Sequence, residues 1–492
     1  MDVAAFLVNA LRGGLGNLAA YLAAHVLLCL LPAFYIAGAM TALIPKESVT
    51  RFLGRNTRQA VSYPAAVLAG GLLAVCSCTI VPLFAGIYKK GAGIGPAITF
   101  LFFAPAANIL ALVYTGSVIG VDLALARLLL SLAFSIGIGL IMALVFRSDD
   151  AAHDEATSQM FAAQSVKGMS PASLMFLLGW VAVLLFGTLK LDILTGSFLN
   201  GTLPLPGAQQ FQALLDRLVP FDASKGEEGI SLQGVILILL LVAIGLASWR
   251  GFERIHDGFS AWTRAAIALI GLTLLVAALN VQARPVGLSV GFTGKFFGVL
   301  FALAVLFQLG RAYLTDDELR DWLWESWRFV KQIFPLLVVG VFLVGVIRAL
   351  IRPEWIESLA GSNTLLGNLT GVAFGVFMYF PTLVEVPIAQ MFLRLGMHRG
   401  PLLAYLMADP ELSLQSILML SAIIGKLKTW TFVGWVAFFS TIAGLIYGAW
   451  VDGMSLGRVV LYFALFLTLL VLALWLVRHR NHRQDDIQAQ TL

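Results

Sequence analysis

Apolar stretches long enough to cross a membrane recur along most of the chain. A helix that spans the hydrocarbon core needs about 20 consecutive apolar residues. Charged or turn-rich breaks separate nine such stretches, at residues 18–43, 121–146, 172–194, 230–249, 265–281, 292–309, 334–351, 429–450 and 456–477. The pattern therefore predicts an all-α polytopic membrane protein.

Two further apolar stretches, 61–88 and 366–393, are interrupted by proline, glycine and polar residues at membrane depth. Each is followed by another apolar piece that contains a proline. Backbone that leaves the helix inside a membrane is tolerated only where protein buries it or where it lines a wet cavity. We therefore predict about eleven transmembrane helices plus two re-entrant broken hairpins. The prolines expected to mark the breaks are Pro82, Pro105, Pro387 and Pro410.

The glycine and proline pattern of the first half recurs in the second half at an offset of 305 residues. The recurring positions run from Gly70 to Pro105 and again from Gly375 to Pro410. The match continues through a Phe-Ser pair and a Gly-Leu-Ile run in both halves. Such a register predicts two units with the same order of structural elements.

The distribution of basic residues bears on the orientation of the two units. The connector 46–58 is strongly basic, and Lys89 and Lys90 fall on the same side of the membrane if the first hairpin re-enters. Cytoplasmic loops carry an excess of lysine and arginine. This assignment makes the second unit inverted relative to the first, as in many secondary transporters whose sites lie where broken helices meet. The basic tail after Val477 is then cytoplasmic.

These observations divide the chain into four parts. The expected boundaries are 18–146 for the first repeat with its Cys-Ser-Cys hairpin, 147–312 for linking helices and polar loops, 324–451 for the second repeat with its acidic hairpin, and 452–492 for the last helix and tail.

Composition excludes several classes of protein. Of the 492 residues, 59% are hydrophobic and only 12% are charged, about half the charge of a soluble protein. A soluble enzyme, a disordered protein and a nucleic-acid-binding protein are all excluded. The net charge of +5 is interpreted as topology and not as a binding patch. Three cysteines in apolar segments do not form a disulfide framework of the secreted kind.

The first hairpin carries Cys76, Ser77 and Cys78 at its expected break. Two sulfur ligands within three residues suit a soft, thiophilic species better than a hard cation. The alternative is that both cysteines are small apolar residues that permit close packing. His25 and Cys29 lie four residues apart on one helix face and could extend a soft-ligand site, or simply pack.

The second hairpin is acidic where the first is apolar. Thr382 matches Ser77, and Glu385, Asp409 and Glu411 fall on apolar positions of the first unit. An ionised side chain near the bilayer centre costs about 2.5 to 3.5 kcal/mol, so such residues are expected to function in proton relay or cation coordination. The alternative places Asp409 and Glu411 at water-exposed helix N-caps. Asn108 could contact substrate or cap the backbone freed at Pro105.

The Cys-Ser-Cys motif and the following run GAGIGPAITFLFFAPAANI resemble the predicted bacterial permease family that includes the organoarsenical efflux permease ArsP. The resemblance covers both repeats. It implies an inner-membrane carrier that expels trivalent methylated or aromatic arsenicals, driven by an ion gradient without ATP. Cys76, Cys78 and Asn108 are the positions that match the family here.

The sequence thus predicts an exporter that works by alternating access and is not an enzyme, with no catalytic residue, cofactor or resident metal. The substrate-binding residues are expected to be Cys76, Ser77, Cys78, Asn108 and Thr382, and the coupling residues Glu385, Asp409 and Glu411. Partners are a small-molecule substrate and membrane lipid, without nucleic acid, and a homodimer is left open. The predicted location is a bacterial inner membrane.

Three alternatives remain open at this point. Cys76 and Cys78 could cycle between dithiol and disulfide in a membrane-embedded thiol oxidoreductase. The chain could be a non-catalytic scaffold subunit, in which the hairpin carboxylates would be replaceable. It could also be a permease for another soft metal or small solute. Two matched broken hairpins favour a transporter over the first two alternatives.

Overall fold

The computed structural model describes residues 3–24, 26–72, 77–161, 170–189, 191–219, 229–285, 287–348, 354–377 and 382–490. The first unit contains α1 (Val3–Ala24), a π-helical turn (Val26–Leu30), α2 (Leu31–Leu43), α3 (Lys46–Leu53), α4 (Gln59–Leu72), α5 (Ser77–Lys89), α6 (Ile94–Ala106), α7 (Ile109–Val118), α8 (Val121–Val145) and α9 (Arg147–Phe161).

The middle of the chain links the two units. It contains α10 (Pro171–Thr188), α11 (Asp192–Thr195), β1 (Ser197–Leu203), α12 (Ala208–Leu218), α13 (Leu232–Phe252), a 3-10 turn (Ile255–Asp257), α14 (Ala261–Ala277), β2 (Asn280–Arg284), β3 (Gly287–Thr293) and α15 (Gly294–Tyr313). The three strands form a small antiparallel sheet in the order β1-β3-β2, in which Gly291 lies opposite both Asn200 and Asn280. Sequence patterning did not predict this sheet.

The second unit and the last helix complete the chain. They contain α16 (Asp316–Arg348), α17 (Glu354–Ala360), α18 (Leu365–Phe377), α19 (Thr382–Arg394), α20 (Arg399–Leu412), α21 (Leu414–Ile424), α22 (Lys426–Val451) and α23 (Leu456–Gln490).

Seven helices of the described chain are long and apolar enough to cross a membrane, or up to nine if each of two bent helix pairs is one span. The predicted all-α polytopic class agrees with this architecture, apart from the small sheet. The number of about eleven spans stays a prediction. Among the described residues, fewer helices than eleven are long enough to span, because α14 and the apolar parts of α5, α18 and α23 are each 17 residues or shorter.

Four helices of the second unit repeat four helices of the first at the same 305-residue spacing that relates the glycine and proline positions. Each helix from α19 to α22 starts 305 residues after its counterpart from α5 to α8, as Ser77 and Thr382 illustrate. The tight turns also correspond, because Gly91 and Gly396 both have positive φ angles, of 86° and 91°. Glycine is the residue that adopts this conformation without steric cost.

Each unit contains two consecutive short helices where a hairpin was predicted, α4 and α5 in the first unit and α18 and α19 in the second, and we keep the word hairpin for each pair. In the first, Gly54 pairs with Ala92, and the Gly93 N–H donates to Leu53 O at 2.8 Å, so the end of α3 lies beside the turn between α5 and α6. In the second, the His398 N–H donates to Ala360 O at 2.9 Å. An arm of 13 or 14 residues is about 20 Å long, shorter than the hydrocarbon core of about 30 Å.

The corresponding long helices α8 and α22 pack against each other in opposite directions. Asp122, at the start of α8, contacts Tyr447 near the end of α22 at 2.8 Å. In the middle, the rings of Phe134 and Phe439 are 4.8 Å apart. Just beyond α8, Asp149 pairs with Lys428 at the start of α22 at 3.2 Å. Helices α8 and α22 are therefore antiparallel.

Candidate functional site

The second helix pair of each unit is interrupted at matching places. After α6 the chain leaves the helix at Asn108, whose Oδ1 accepts the Ala111 N–H at 2.8 Å as α7 begins. After α20 it leaves at Ser413, whose Oγ accepts the Ser416 N–H at 3.4 Å as α21 begins. A capping side chain satisfies a backbone donor that has no partner within the helix. Asn108 is thus placed as a cap, which was one of its two expected roles.

The prolines expected to mark the breaks lie inside helices instead. Pro82 and Pro387 are within α5 and α19, and Pro105 and Pro410 lie in the last turns of α6 and α20. A proline removes one backbone hydrogen bond but need not end a helix when neighbouring protein supports it. The described helices are interrupted after Ala106 and at Ser413. The residues between α4 and α5, 73–76, and between α18 and α19, 378–381, lie outside the described residues.

The hairpins of the two units cross over. Helix α5 of the first hairpin packs against α21 of the second unit, and α19 of the second hairpin packs against α7 of the first. Each hairpin therefore lies beside the segment that follows the break of the opposite unit. The two units therefore contact each other through both of these helix pairs.

A buried ion pair joins the two units at this interface. Arg127 in α8 donates from Nη2 to Oε1 of Glu385 in α19 at 3.1 Å and to Oε2 at 3.3 Å, and neither side chain is exposed. Arg127 Nε donates to Ala106 O at 2.6 Å, and Nη1 donates to Thr115 Oγ1 at 3.3 Å. The arginine therefore binds a carbonyl of the first break and a carboxylate of the second hairpin.

Sequence reasoning missed Arg127. A signal was present, since an arginine inside an apolar span is rare and marks a functional site by default. Its counterpart in the second unit is the apolar Phe432, so Arg127 was not among the positions that the comparison of the repeats matched. Its partner Glu385, by contrast, was among the expected coupling residues.

The acidic residues of the second break are enclosed by protein. Asp409 and Glu411 lie near the C-terminal end of α20 and are 0% and 4% exposed, so they are not exposed N-caps. Within the described residues, Glu411 Oε1 has no hydrogen-bond partner, and neither side-chain polar atom of Gln415 has one. A buried carboxylate and a buried amide thus retain hydrogen-bonding capacity at this break.

The cysteine motif begins the returning arm of the first hairpin. Cys76 lies outside the described residues, while Ser77 and Cys78 open α5. The next residue, Thr79, contacts the Cys29 side chain through its hydroxyl. Cys29 belongs to the π-helical turn, a feature often found at functional sites. The structure therefore places a third thiol next to the arm that carries the motif.

Several expected site residues have no described side-chain geometry. His25 lies outside the described residues, and Thr382 opens α19 without a described side chain. Among the described residues, no three histidine, cysteine or acidic side chains are grouped as a metal site. Assignment of Cys76, Ser77, Cys78, Asn108 and Thr382 to substrate binding stays a prediction.

Residues 13–449 match the family described as predicted permease, ArsP_1. This chain belongs to that family. The match spans both units and the interface between them, and it confirms the resemblance seen at the Cys-Ser-Cys motif. Membership indicates a multi-pass membrane transporter rather than an enzyme.

Two curated relatives share the designation UPF0718. UPF0718 protein MJ0584 of Methanocaldococcus jannaschii is 32% identical over 449 residues, which cover 91% of this family member and 98% of the archaeal protein. UPF0718 protein YraQ of Escherichia coli K12 is 29% identical over 118 residues, covering 24% and 34% of the two chains. No solved structure matches this chain.

Proposed function

We propose that this family member is a secondary-transport permease that exports a small thiophilic substrate, with trivalent organoarsenicals as the substrate class. The observation that carries the transport proposal is the crossed arrangement of the hairpins, closed by the Arg127–Glu385 pair. Broken helices that meet near the middle of the membrane are the usual site of secondary transporters.

The proposed mechanism is alternating access between two inverted units. The antiparallel packing of α8 and α22 supports inversion, since these helices are equivalent members of the repeat. The short hairpin arms support re-entrant segments, because arms of about 20 Å enter a membrane without crossing it. We place the protein in a bacterial inner membrane with the C-terminus in the cytoplasm, as the basic tail favours.

The proposed substrate site contains Cys76 and Cys78, with Ser77 and Thr382 at the starts of the two returning arms and Asn108 at the first break. Two thiolates bind a monosubstituted trivalent arsenical through both of its exchangeable positions. They hold it less tightly than three thiolates would hold the bare trivalent ion. A transporter must release what it binds, so this pair favours organic arsenicals over arsenite.

The proposed coupling residues are Glu385, Asp409 and Glu411. Glu385 is neutralised by Arg127, and protonation of the carboxylate would weaken the contact that holds α19 to α8. The partly unsatisfied Glu411 lies at the break of the same unit. Proton binding at these carboxylates would therefore alter the contact between the units, as coupled transport requires.

The experiment is a resistance assay in an arsenic-sensitive bacterial host. Cells expressing the protein are exposed to trivalent methylarsenite or inorganic arsenite, and survival and cell-associated arsenic are recorded. Cys76→Ser, Cys78→Ser and Glu385→Gln are compared with Glu357→Gln, an exposed carboxylate of α17, at matched membrane abundance.

We expect selective protection against methylarsenite that is lost in the two cysteine variants and in Glu385→Gln, and retained in Glu357→Gln. Absence of protection by a well-inserted protein would refute the arsenical assignment. Protection that survives loss of either cysteine would refute the proposed binding site.

A further inference from the structure

A cavity of about 400 Å³ lies outside the crossed hairpins, between the open end of the first hairpin, the end of α8 and the last helix α23. Its polar wall includes Arg55, Thr57, Tyr63 and Arg147. Neither the transport interface nor the proposed substrate site uses these residues. The cavity therefore needs an account of its own.

The charges of this cavity favour an anion. Arg55 and Arg147 supply two guanidinium groups to the lining, and Asp150 supplies one carboxylate. Asp150 Oδ2 lies 3.9 Å from Arg55 Nε. Guanidinium groups bind the oxygens of phosphates and carboxylates through two parallel hydrogen bonds.

The carboxylate of Asp150, which lines the cavity, already shows how the cavity contacts a negatively charged oxygen. Asp150 Oδ1 accepts the Ile94 N–H at the first turn of α6 at 2.9 Å. Gly93 and Gln59, at the starts of α6 and α4, also line the cavity. Helix N-termini carry partial positive charge and donate N–H groups to anions. Backbone and side chains of this cavity are thus both suited to negatively charged oxygen.

The opposite wall is apolar and lies at the expected membrane boundary. Leu144 near the end of α8 and Val471 in α23 form part of this wall, together with Trp475. The apolar part of α23, Leu456–Leu472, is 17 residues long, and Trp475 follows three residues after its end. Tryptophan is enriched where a span meets the headgroup region.

We propose that this cavity binds the phosphate group of an anionic phospholipid, with the phosphate between Arg55 and Arg147 and an acyl chain along Leu144 and Val471. Free phosphate offers the same oxygen chemistry to the two arginines. The apolar wall favours the lipid, because inorganic phosphate would leave that wall unused. Basic pockets between membrane helices are known to recognise lipid headgroups in this way.

The test uses the full-length protein, purified in a neutral detergent and delipidated. Thermal unfolding is followed during titration with phosphatidylglycerol, phosphatidylcholine or inorganic phosphate, since a ligand that binds the folded state raises the unfolding temperature. The variant Arg55→Gln/Arg147→Gln is compared with Arg311→Gln/Arg458→Gln, which removes the same charge at exposed positions outside the cavity.

We expect phosphatidylglycerol to bind the native protein and the control, and to bind the cavity variant at least about tenfold more weakly. Asp150→Asn removes the competing negative charge and should bind the same lipid several-fold more tightly. This second variant tests the proposal even if the double variant does not fold.

Three results would overturn the proposal. The first is equal affinity of the cavity variant and its control for phosphatidylglycerol. The second is stabilisation by inorganic phosphate without stabilisation by the lipid, which would assign the cavity to a free anion. The third is equal binding of phosphatidylcholine and phosphatidylglycerol, which would make the contact a non-specific lipid effect.

Discussion

Removal of either partner of the Arg127–Glu385 pair should strongly destabilise the protein. Neither side chain is exposed, and the nitrogen and oxygen atoms are 3.1 Å apart. Glu385→Gln leaves a buried guanidinium without its counter-charge, and Arg127→Met leaves a buried carboxylate. Breaking a buried pair in this way costs roughly 3 to 5 kcal/mol, more than the pair itself contributes.

The double variant Arg127→Met/Glu385→Gln should be less destabilised than the sum of the two single variants. It leaves no unpaired charge, although Ala106 O and Thr115 Oγ1 lose their donor. We expect a coupling energy of about 2 kcal/mol from this double-mutant cycle. The assay is denaturant unfolding of the four purified proteins in one mild detergent.

Additive effects of the two single variants, within about 0.5 kcal/mol, would refute the reasoning. Such a result would mean that the two charges do not compensate each other in the folded protein. Export measured on the same variants separates stability from coupling, because the double variant should regain stability without regaining transport.

Three smaller changes test other parts of the structure. Asn108→Ala removes the cap of α7 and should lower the free energy of unfolding by about 1 kcal/mol, whereas Asn108→Ser should retain most of it. Tyr447→Phe removes the 2.8 Å hydrogen bond to Asp122 between the two units and should cost about 1 kcal/mol in the same unfolding assay. Burial lowers the pKa of Lys90, at the open end of the first hairpin, to about 8, although Glu325 opposes the shift. The unfolded chain keeps this proton up to a pH of about 10.4, so between pH 8 and 10 the unfolded state binds more protons and stability should rise with pH. Lys90→Met should be more stable than the native protein below pH 8, by up to about 3 kcal/mol, and the difference should shrink as the pH approaches 10. A constant difference across this range would contradict the assigned titration.

The repeated order of helices could be inferred from sequence because it depends on glycine and proline, whose backbone requirements are local. Gly91 and Gly396 occupy equivalent left-handed turns, as their matched positions suggested. The sequence predicted the positions of the helix breaks less well. A proline such as Pro82 is a strong local signal, but the helix containing it continues, whereas Ser413 interrupts its helix by capping the next one.

Only one partner of the central ion pair, Glu385, was inferred from the sequence. Glu385 was noticeable because a carboxylate in an apolar segment is costly, and the same argument applied to Arg127. Their contact joins residues 258 positions apart, and no local pattern specifies that distance. The short sheet was missed for a similar reason, because β1 pairs with β3 across about 90 residues and is exposed along its length.

The most direct test of the account is substrate flux in proteoliposomes with an imposed proton gradient. The protein is reconstituted alone, and entry of trivalent methylarsenite is measured with and without the gradient. We predict gradient-dependent flux that is absent from Cys76→Ser/Cys78→Ser, and uncoupled from the gradient or absent in Glu385→Gln. Flux that is independent of the gradient in the native protein, or unchanged by loss of both cysteines, would contradict the account.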